Sequence, residues 1–205
     1  MIMHLSDTFE LINGVRRYNF QHCCYYLQQQ GQQIYGSCFR IYPADYEVIQ
    51  RLLIYAFQDR YRASDRGIAL HKGLLVMGPS GCGKTSLLHL VKPFFCEPQR
   101  YVLRNCREIS YFTERYGTTF LQHYLQTTQL FCLDGLGSEP GVRYRGRSCE
   151  PVKELLQHYP FDRPLHLTTH LDPRGLEHRY GTAFRDLLRA HFNLIVFPRD
   201  SPIKL

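Results

Sequence analysis

One eight-residue segment near the middle of the chain constrains the fold more than any other. Residues 78–85 read GPSGCGKT and fit the pattern G-x-x-x-x-G-K-[ST] in full. The apolar run GLLVM (73–77) precedes this segment, and the amphipathic stretch TSLLHLV continues from its last residue. A glycine-rich loop between a strand and a helix turns its backbone N–H groups toward phosphate oxygens, and the helix N-terminus adds positive potential. The segment therefore predicts a phosphate-binding loop in an α/β fold.

The motif assigns individual contacts to a bound nucleotide. We expect Lys84 to reach the β- and γ-phosphates and the hydroxyl of Thr85 to coordinate Mg²⁺. The competing interpretation, a glycine-rich turn with a chance lysine, does not explain why strand, loop and helix follow in this order. We therefore predict ATP and Mg²⁺ as cofactors, with the nucleotide bound by Gly78, Pro79, Ser80, Gly81, Cys82, Gly83, Lys84, Thr85 and Ser86.

From residue 71 onward, short apolar runs alternate with helical segments. Buried strands with intervening helices are typical of a parallel sheet covered on both faces. We therefore predict a P-loop NTPase core over residues 71–205, with a five-stranded parallel sheet between helices. The five predicted strands are GLLVM (73–77), YVL (101–103), LFCL (130–133), LHLTT (165–169) and NLIVF (193–197).

Residues 1–70 have a different composition, rich in Gln, Tyr and Arg. The segment QQQGQQ (28–33) is interpreted as a helix end or a loop. The clearest helix begins at Pro43, a residue that suits a first helical turn. Apolar residues then recur at helical spacing, namely Val48, Ile49, Leu52, Leu53, Ala56 and Phe57. We predict a small helical N-terminal extension and place partner contact there, because it carries no catalytic signature.

Length and composition exclude several classes of protein. The chain has 205 residues, enough for one sizeable domain with a small appendage. No run approaches the length of a membrane-spanning helix, and the N-terminus has no features of a secretory signal. The eight cysteines form neither a C-x-x-C pair nor a quartet at zinc spacing. We therefore expect a cytoplasmic protein with reduced cysteines and no membrane contact. The formal charge of +7 is compatible with a polyanionic partner.

Polar residues follow two of the predicted strands. In CLDGLGSEP (132–140), Asp134 ends a strand, where open α/β sheets bind ligands, so we predict that it contacts Mg²⁺ through water. Glu139 is the nearest further acid. After LHLTT comes His170, which could sense the γ-phosphate or hold the attacking water.

Two arginine clusters lie in the second half of the chain. GTAFRDLLRAH (181–191) carries Arg185 and Arg189 on one helix face, where an arginine could reach a neighbour's γ-phosphate. A solvated basic face explains the spacing equally well. In the predicted loop GVRYRGRS (141–148), arginines could contact phosphates and a tyrosine could stack on an unpaired base of single-stranded DNA. A solvated, mobile loop is the alternative. The residues of this hypothesis are Arg143, Tyr144, Arg145 and Arg147.

Taken together, these motifs resemble those of AAA+ ATPases of the DnaC/IstB type, which are helicase loaders and transposition-helper ATPases. The likeness is to the small stand-alone versions of mobile elements and covers about residues 31–205. The resemblance implies an ATP-dependent oligomer that acts on DNA or on a replication or transposition partner, without a C-terminal lid. It is carried by GPSGCGKTSLLHL, RNCREIS (104–110), LDGLGSEP, HLTTH (166–170) and RYGTAFRDLLRAHFNLIVF (179–197).

Three departures from the family pattern concern hydrolysis. The second acid after the strand, which positions water in the family, is replaced by Gly135. His170 stands where the family usually has an Asn sensor, and Leu187 stands where a further arginine is common. The resemblance thus implies a weak or partner-stimulated ATPase, with catalytic candidates Asp134, Glu139, His170, Arg185 and Arg189. A nucleotide-gated adaptor without efficient hydrolysis is the alternative. A small-molecule kinase, suggested by GPSGCGK, would leave HLTTH and residues 179–197 without a role.

Overall fold

The computed structural model describes residues 2–198, which group into two compact units. The first unit comprises the described residues of Met1–Leu70, Pro79–Arg100 and Val196–Leu205. The second comprises His71–Gly78 and Tyr101–Ile195. Most of the phosphate-binding motif therefore belongs to the same unit as the N-terminal extension.

The first unit begins with a β-hairpin and continues with helices. Strand β1 (Phe9–Ile12) pairs antiparallel with β2 (Val15–Tyr18). The turn between them is Asn13-Gly14, with φ values of 52° and 76°, as a type I′ turn requires. The helices are α1 (Phe20–Tyr35), α2 (Tyr46–Ala56), α3 (Arg60–Asp65) and α4 (Lys84–Val91). Short 3₁₀ turns lie at Leu5–Thr8, Pro43–Asp45, Lys92–Phe94 and Glu97–Gln99.

The extension differs from its sequence-based description in two respects. It contains the β1–β2 hairpin in addition to helices. The segment QQQGQQ lies inside α1, so its interpretation as a helix end or loop was wrong. Gly31 is buried there, and a Cβ on it would collide with the ring of Phe39, which packs on the helix. The helix expected from Pro43 is confirmed, since the 3₁₀ turn Pro43–Asp45 leads into α2 and its apolar face is buried.

The second unit alternates strands with helices. Its elements in chain order are β3 (Gly73–Met77), β4 (Tyr101–Asn105), α5 (Cys106–Tyr116), α6 (Gln122–Gln126), β5 (Leu130–Leu136), β6 (Val142–Tyr144), β7 (Arg147–Cys149), α7 (Pro151–His158), β8 (His166–Thr169), α8 (Pro173–Tyr180), α9 (Thr182–His191) and β9 (Phe192–Val196).

Five of these strands form the predicted parallel sheet, in the order β4-β5-β8-β3-β9. All five apolar runs are therefore strands, and the predicted α/β fold is confirmed. The register places Asn105 beside Asp134 and Met77 beside Thr169, so the carboxyl ends of the central strands share one edge. Helices α5, α7, α8 and α9 bury apolar residues against the sheet, among them Ile109, Val152, Leu155, Leu176, Phe184 and Leu188.

The segment GVRYRGRS is a second hairpin rather than the predicted loop. Strands β6 and β7 pair antiparallel, with Tyr144 opposite Arg147. The turn residues Arg145 and Gly146 have φ values of 48° and 80°. The pattern hides this hairpin because each strand has only three residues and only Val142 of the six is buried.

Two further features bear on the expected class of protein. No helix among the described residues has the length and apolar character needed to cross a membrane. All eight cysteines are free, and Cys23, Cys82, Cys106 and Cys132 are buried. Burial raises the pKa of the Cys106 and Cys132 thiols, which therefore behave as small apolar side chains.

Candidate functional site

The phosphate-binding motif has the backbone that the sequence predicts. The loop follows β3 directly in the chain, and α4 begins at Lys84. Gly81 and Gly83 have φ values of 81° and 92°, which favour glycine because other residues are strained there. Within residues 2–198, the N–H groups of Ser80, Gly81 and Gly83 donate to no acceptor. Three backbone donors are thus free to bind an anion.

The ammonium group of Lys84 lies inside this loop. Its Nζ donates to the carbonyl of Pro79 at 2.7 Å and lies 3.8 Å from the Sγ of Cys82. Lys84 is only 9% exposed, while Thr85 beside it is exposed. An ammonium group among backbone N–H donors suits phosphate oxygens. The loop therefore fits a nucleotide.

A hydrogen-bonded cluster joins the ends of β5 and β8. The Oγ1 of Thr168 donates to the Oδ1 of Asp134 at 2.6 Å and accepts from the N–H of Gly135 at 2.8 Å. Thr168 is 1% exposed, so both strand ends are tied inside the unit. Thr168 therefore orients the Asp134 carboxylate. Threonine at this strand end was a visible signal, but the sequence did not show which strand it faces.

Gly135 occupies a bulge in β5. Leu133 pairs with Leu167 and Leu136 with Thr169, so β5 has one residue more than β8 over this span. Gly135 has a φ of 80°, and a Cβ on it would lie 2.8 Å from the Oγ of Ser138. That hydroxyl donates to the Gly135 carbonyl at 2.6 Å. The position of the missing second acid is therefore shaped around glycine.

Glu139 is buried in a network that sequence reasoning missed. Its Oε1 accepts from the hydroxyl of Tyr180, and its Oε2 accepts from the N–H of Gly137 at 2.8 Å. The guanidinium of Arg179 lies 3.8 Å from the carboxylate and donates to the Glu139 carbonyl. Burial, followed by the neighbouring Glu139 carboxylate, raises the pKa of Tyr180. Because both carboxylate oxygens are engaged, activation of water by Glu139 would require this network to open.

The remaining catalytic candidates lie at the surface of the second unit. His170 is exposed just after β8, so it does not pack beneath the sheet. Arg185 pairs with Glu177 at 2.8 Å, whereas Arg189 is exposed. The two arginines line one cavity of about 270 Å³. The structure thus brings Arg185 and Arg189 together, as their spacing predicts.

The β6–β7 hairpin presents three exposed arginines. Within the described chain, Arg143, Arg145 and Arg147 form no ion pair. The guanidinium of Arg145 lies 5.3 Å from the ring centre of Tyr144. The ring of Tyr144 packs on Gly117, where a Cβ would approach it to 2.7 Å. The hairpin is therefore held next to its turn, and it carries three positive charges.

Known proteins share the fold of this chain, although no family model and no curated protein sequence matches it. A protein described as a primosome component from Streptococcus pyogenes serotype M3 is 15% identical over 78% of this chain and 83% of its own, with a TM-score of 0.53. The DnaC helicase loader is 18% identical over 62% of this chain and 79% of its own, with a TM-score of 0.44. The AAA domain of FIGL-1 in complex with ADP is 17% identical over 80% of this chain and 56% of its own, with a TM-score of 0.46. The match to the primosome component shows a shared fold alone, and the resemblance to ATPases of the DnaC/IstB type stays a prediction from the sequence.

Proposed function

We propose that this chain binds ATP with Mg²⁺ through residues 78–85 and acts as an AAA+-like module in DNA replication or transposition. The observation that carries the proposal is the loop itself, with an intact motif, three free backbone N–H donors and the ammonium group of Lys84 at the Pro79 carbonyl. When bound, Mg²⁺ would neutralise charge on the β- and γ-phosphates. Thr85 is the residue of this loop that we propose to hold it.

Hydrolysis in this proposal is weak or depends on a partner. Asp134 supplies a carboxylate, but Gly135 offers no base and Glu139 is engaged by Tyr180 and Gly137. The same observation favours a second candidate function, a nucleotide-gated adaptor that binds ATP with little turnover.

The proposed partners are DNA and a replication or transposition protein. The exposed arginines of the β6–β7 hairpin support a DNA contact, since arginines that lack carboxylate partners can bind backbone phosphates. Arg189 and Arg185 would act on the nucleotide of a neighbouring copy only in a homo-oligomer. We propose the N-terminal extension as the site of protein contact.

The first experiment compares ATP affinity and turnover of the wild-type protein and Lys84→Ala. Loss of the charge-assisted phosphate bonds should weaken ATP binding by about 10- to 100-fold. Lys153→Ala is the matched control, because it removes the same charge at a lysine of α7 that pairs with Glu150. Unchanged ATP affinity in Lys84→Ala would refute the nucleotide site.

Turnover with and without single- or double-stranded DNA then separates the two functions. Turnover above the Lys84→Ala blank, raised by DNA, supports an ATPase. Tight ATP binding with turnover no higher than that blank supports the adaptor.

A further inference from the structure

The β1–β2 hairpin of the first unit is anchored at its base. The ring of Tyr18 stacks on Phe57 with centroids 4.9 Å apart, and the ring of Phe9 meets the same side chain edge-on at 5.8 Å. The N–H of Asn19 donates to the carbonyl of Thr8 at 2.9 Å, next to the pair formed by Phe9 and Tyr18. The base of the hairpin is therefore packed against the rest of its unit.

The outer half of the hairpin exposes branched apolar side chains. Leu11 is 68% exposed, Val15 60% and Ile12 39%. A Cβ on Gly14 in the turn would meet no atom within 4 Å beyond its chain neighbours, so this end of the hairpin projects into solvent. Single apolar side chains are common on protein surfaces, but a group of them on an open strand pair favours association with another chain.

The exposed apolar residues lie on both faces of the hairpin. Side chains alternate along a strand, so Leu11 lies on the face of Phe9. Ile12 and Val15 oppose each other on the other face. A partner that covered one face would leave the other in water, whereas a strand added at an edge places neighbours beside both. The distribution therefore favours a partner strand over a partner surface.

Both outer edges of the hairpin are open. Within residues 2–198, no third strand joins the sheet of β1 and β2. In an antiparallel ladder every second pair exchanges hydrogen bonds, and the bond between Asn19 and Thr8 fixes which pairs do so. Leu11 and Arg16 oppose each other three positions further on, so their N–H and C=O groups point outward. Such a row of backbone groups is a template for another strand.

Charge distinguishes the two edges when the partner is a second copy of this chain. In an antiparallel β2–β2 pair, either Arg16 or Arg17 lies opposite its own copy, and like charges in this position are destabilising. β1 has a register without this conflict. When Leu11 lies opposite Leu11 of the second copy, Glu10 lies opposite Ile12. The β1 edge is therefore complementary to itself, whereas the β2 edge is not.

Steric overlap opposes the mixed arrangement, in which β1 of one copy pairs with β2 of another. Neighbouring strands lie about 4.8 Å apart, so this pairing would displace the second copy by only about 10 Å. The parts that follow the two hairpins would then overlap, because even a domain of about 100 residues has a radius of gyration of about 13 Å. A two-fold axis avoids the overlap, since it points the bases of the two hairpins in opposite directions.

We propose that β1 is a dimerisation edge, through which two copies of this chain pair antiparallel about a two-fold axis with Leu11 opposite Leu11. The two hairpins would then form one four-stranded sheet. The inference rests on the proposed protein contact of the N-terminal extension and names its partner as a second copy. It uses no residue of the nucleotide loop.

The test is analytical ultracentrifugation of the full chain without nucleotide. Small interfaces give weak complexes, so the wild-type protein should pass from monomer to dimer between about 1 and 100 µM. Leu11→Pro removes the outward N–H of β1 and no ladder bond within the hairpin. The loss of two hydrogen bonds between the copies should weaken association about 30-fold or more.

Arg16→Pro is the matched control, because it removes the outward N–H of the other edge. It should dimerise like the wild-type protein, and melting temperatures should show that both variants are folded. A wild-type protein that stays monomeric, or that assembles only with ATP, would overturn the inference. So would equal association of the two proline variants.

A charge exchange at position 11 tests the register and does not depend on proline. Leu11→Lys and Leu11→Glu should each be monomeric, because like charges would meet at the two-fold axis. A mixture of the two variants should form dimers again, and a mixture that stays monomeric would refute the pairing of Leu11 with Leu11.

Lys84→Ala separates this inference from the proposed nucleotide site. The variant should dimerise like the wild-type protein, since the loop takes no part in the pairing. Unchanged ATP affinity in Lys84→Ala refutes the nucleotide site alone, whereas unchanged association in Leu11→Pro refutes the dimerisation edge alone.

Discussion

At the scale of single residues, the backbone conformation at Gly135 favours glycine, whereas efficient hydrolysis would need an acid at this position. Gly135→Glu introduces the second acid of the family pattern, which this chain lacks, yet we expect no gain in ATP turnover. A non-glycine residue at a φ of 80° costs about 1–3 kcal/mol, and its Cβ would meet the Oγ of Ser138. Turnover assays and urea unfolding of the variant should therefore show an unimproved rate and a lower free energy of unfolding.

Gly135→Ala is the control for this experiment, because it adds the Cβ without the carboxylate. It should lose about as much stability as Gly135→Glu and hydrolyse ATP no faster than wild type. Turnover by Gly135→Glu well above both proteins would mean that β5 can straighten around an acid, contrary to the bulge seen here.

At the scale of elements, the β6–β7 hairpin makes the DNA hypothesis measurable. Replacing Arg143, Arg145 and Arg147 together by Ala should weaken binding of single-stranded DNA. If each arginine neutralises one phosphate, the slope of log affinity against log salt should fall by about 2, since each contact contributes about 0.7 on single strands.

The control for the hairpin replaces three other exposed arginines, Arg17, Arg60 and Arg174, and so changes the net charge equally. A salt slope that falls as much in this control would assign DNA affinity to overall charge. An unchanged slope in the hairpin variant would remove the hairpin from the interface.

Element length explains which parts of the fold the sequence predicts. GLLVM forms β3 with all five residues buried, so its apolar run is a complete signal. The hairpin strands are short and face solvent, so no apolar run marks them. For the first hairpin, the signal in the sequence is the dipeptide Asn13-Gly14, which is favoured in type I′ turns.

In the candidate site, the sequence predicts the contacts between residues that are close in the chain, but not those between residues that are distant in it. The phosphate loop is contiguous in sequence, so its motif specifies nearly all of it. Tyr180 meets Glu139 across 41 residues, and Thr168 meets Asp134 across 34. Such pairs depend on how helices and strands pack, and residue spacing does not encode them.

At the scale of the whole molecule, a buried histidine links stability to pH. His166 lies within the sheet, where its Nδ1 accepts from the N–H of Leu74 at 3.2 Å. Burial lowers the pKa of His166 from 6.5 to about 3. Below pH 6.5 His166 becomes protonated in the unfolded chain. In the folded chain it stays neutral until the pH reaches about 3. Stability therefore falls as pH drops through this window, by about 1.4 kcal/mol per pH unit from this group.

His166→Asn should remove this contribution while keeping an acceptor for Leu74. The variant is expected to be less stable at pH 7, because its contact with Tyr101 is lost, but its stability should depend less on pH between 6 and 4. Urea unfolding at several pH values measures both effects. His178→Asn, at an exposed histidine, should leave the slope unchanged. A slope that survives in His166→Asn would show that other groups dominate the acid response.

The bulge in β5 also limits how such a chain can change over generations. One codon change can place an acid at position 135, but the resulting protein keeps the left-handed backbone there and is less stable. A strand-end base therefore requires two linked changes, one that straightens β5 and one that supplies the carboxylate. Neither is an advantage alone, so descendants of this chain are more readily selected for how they hold a nucleotide than for how fast they cleave it.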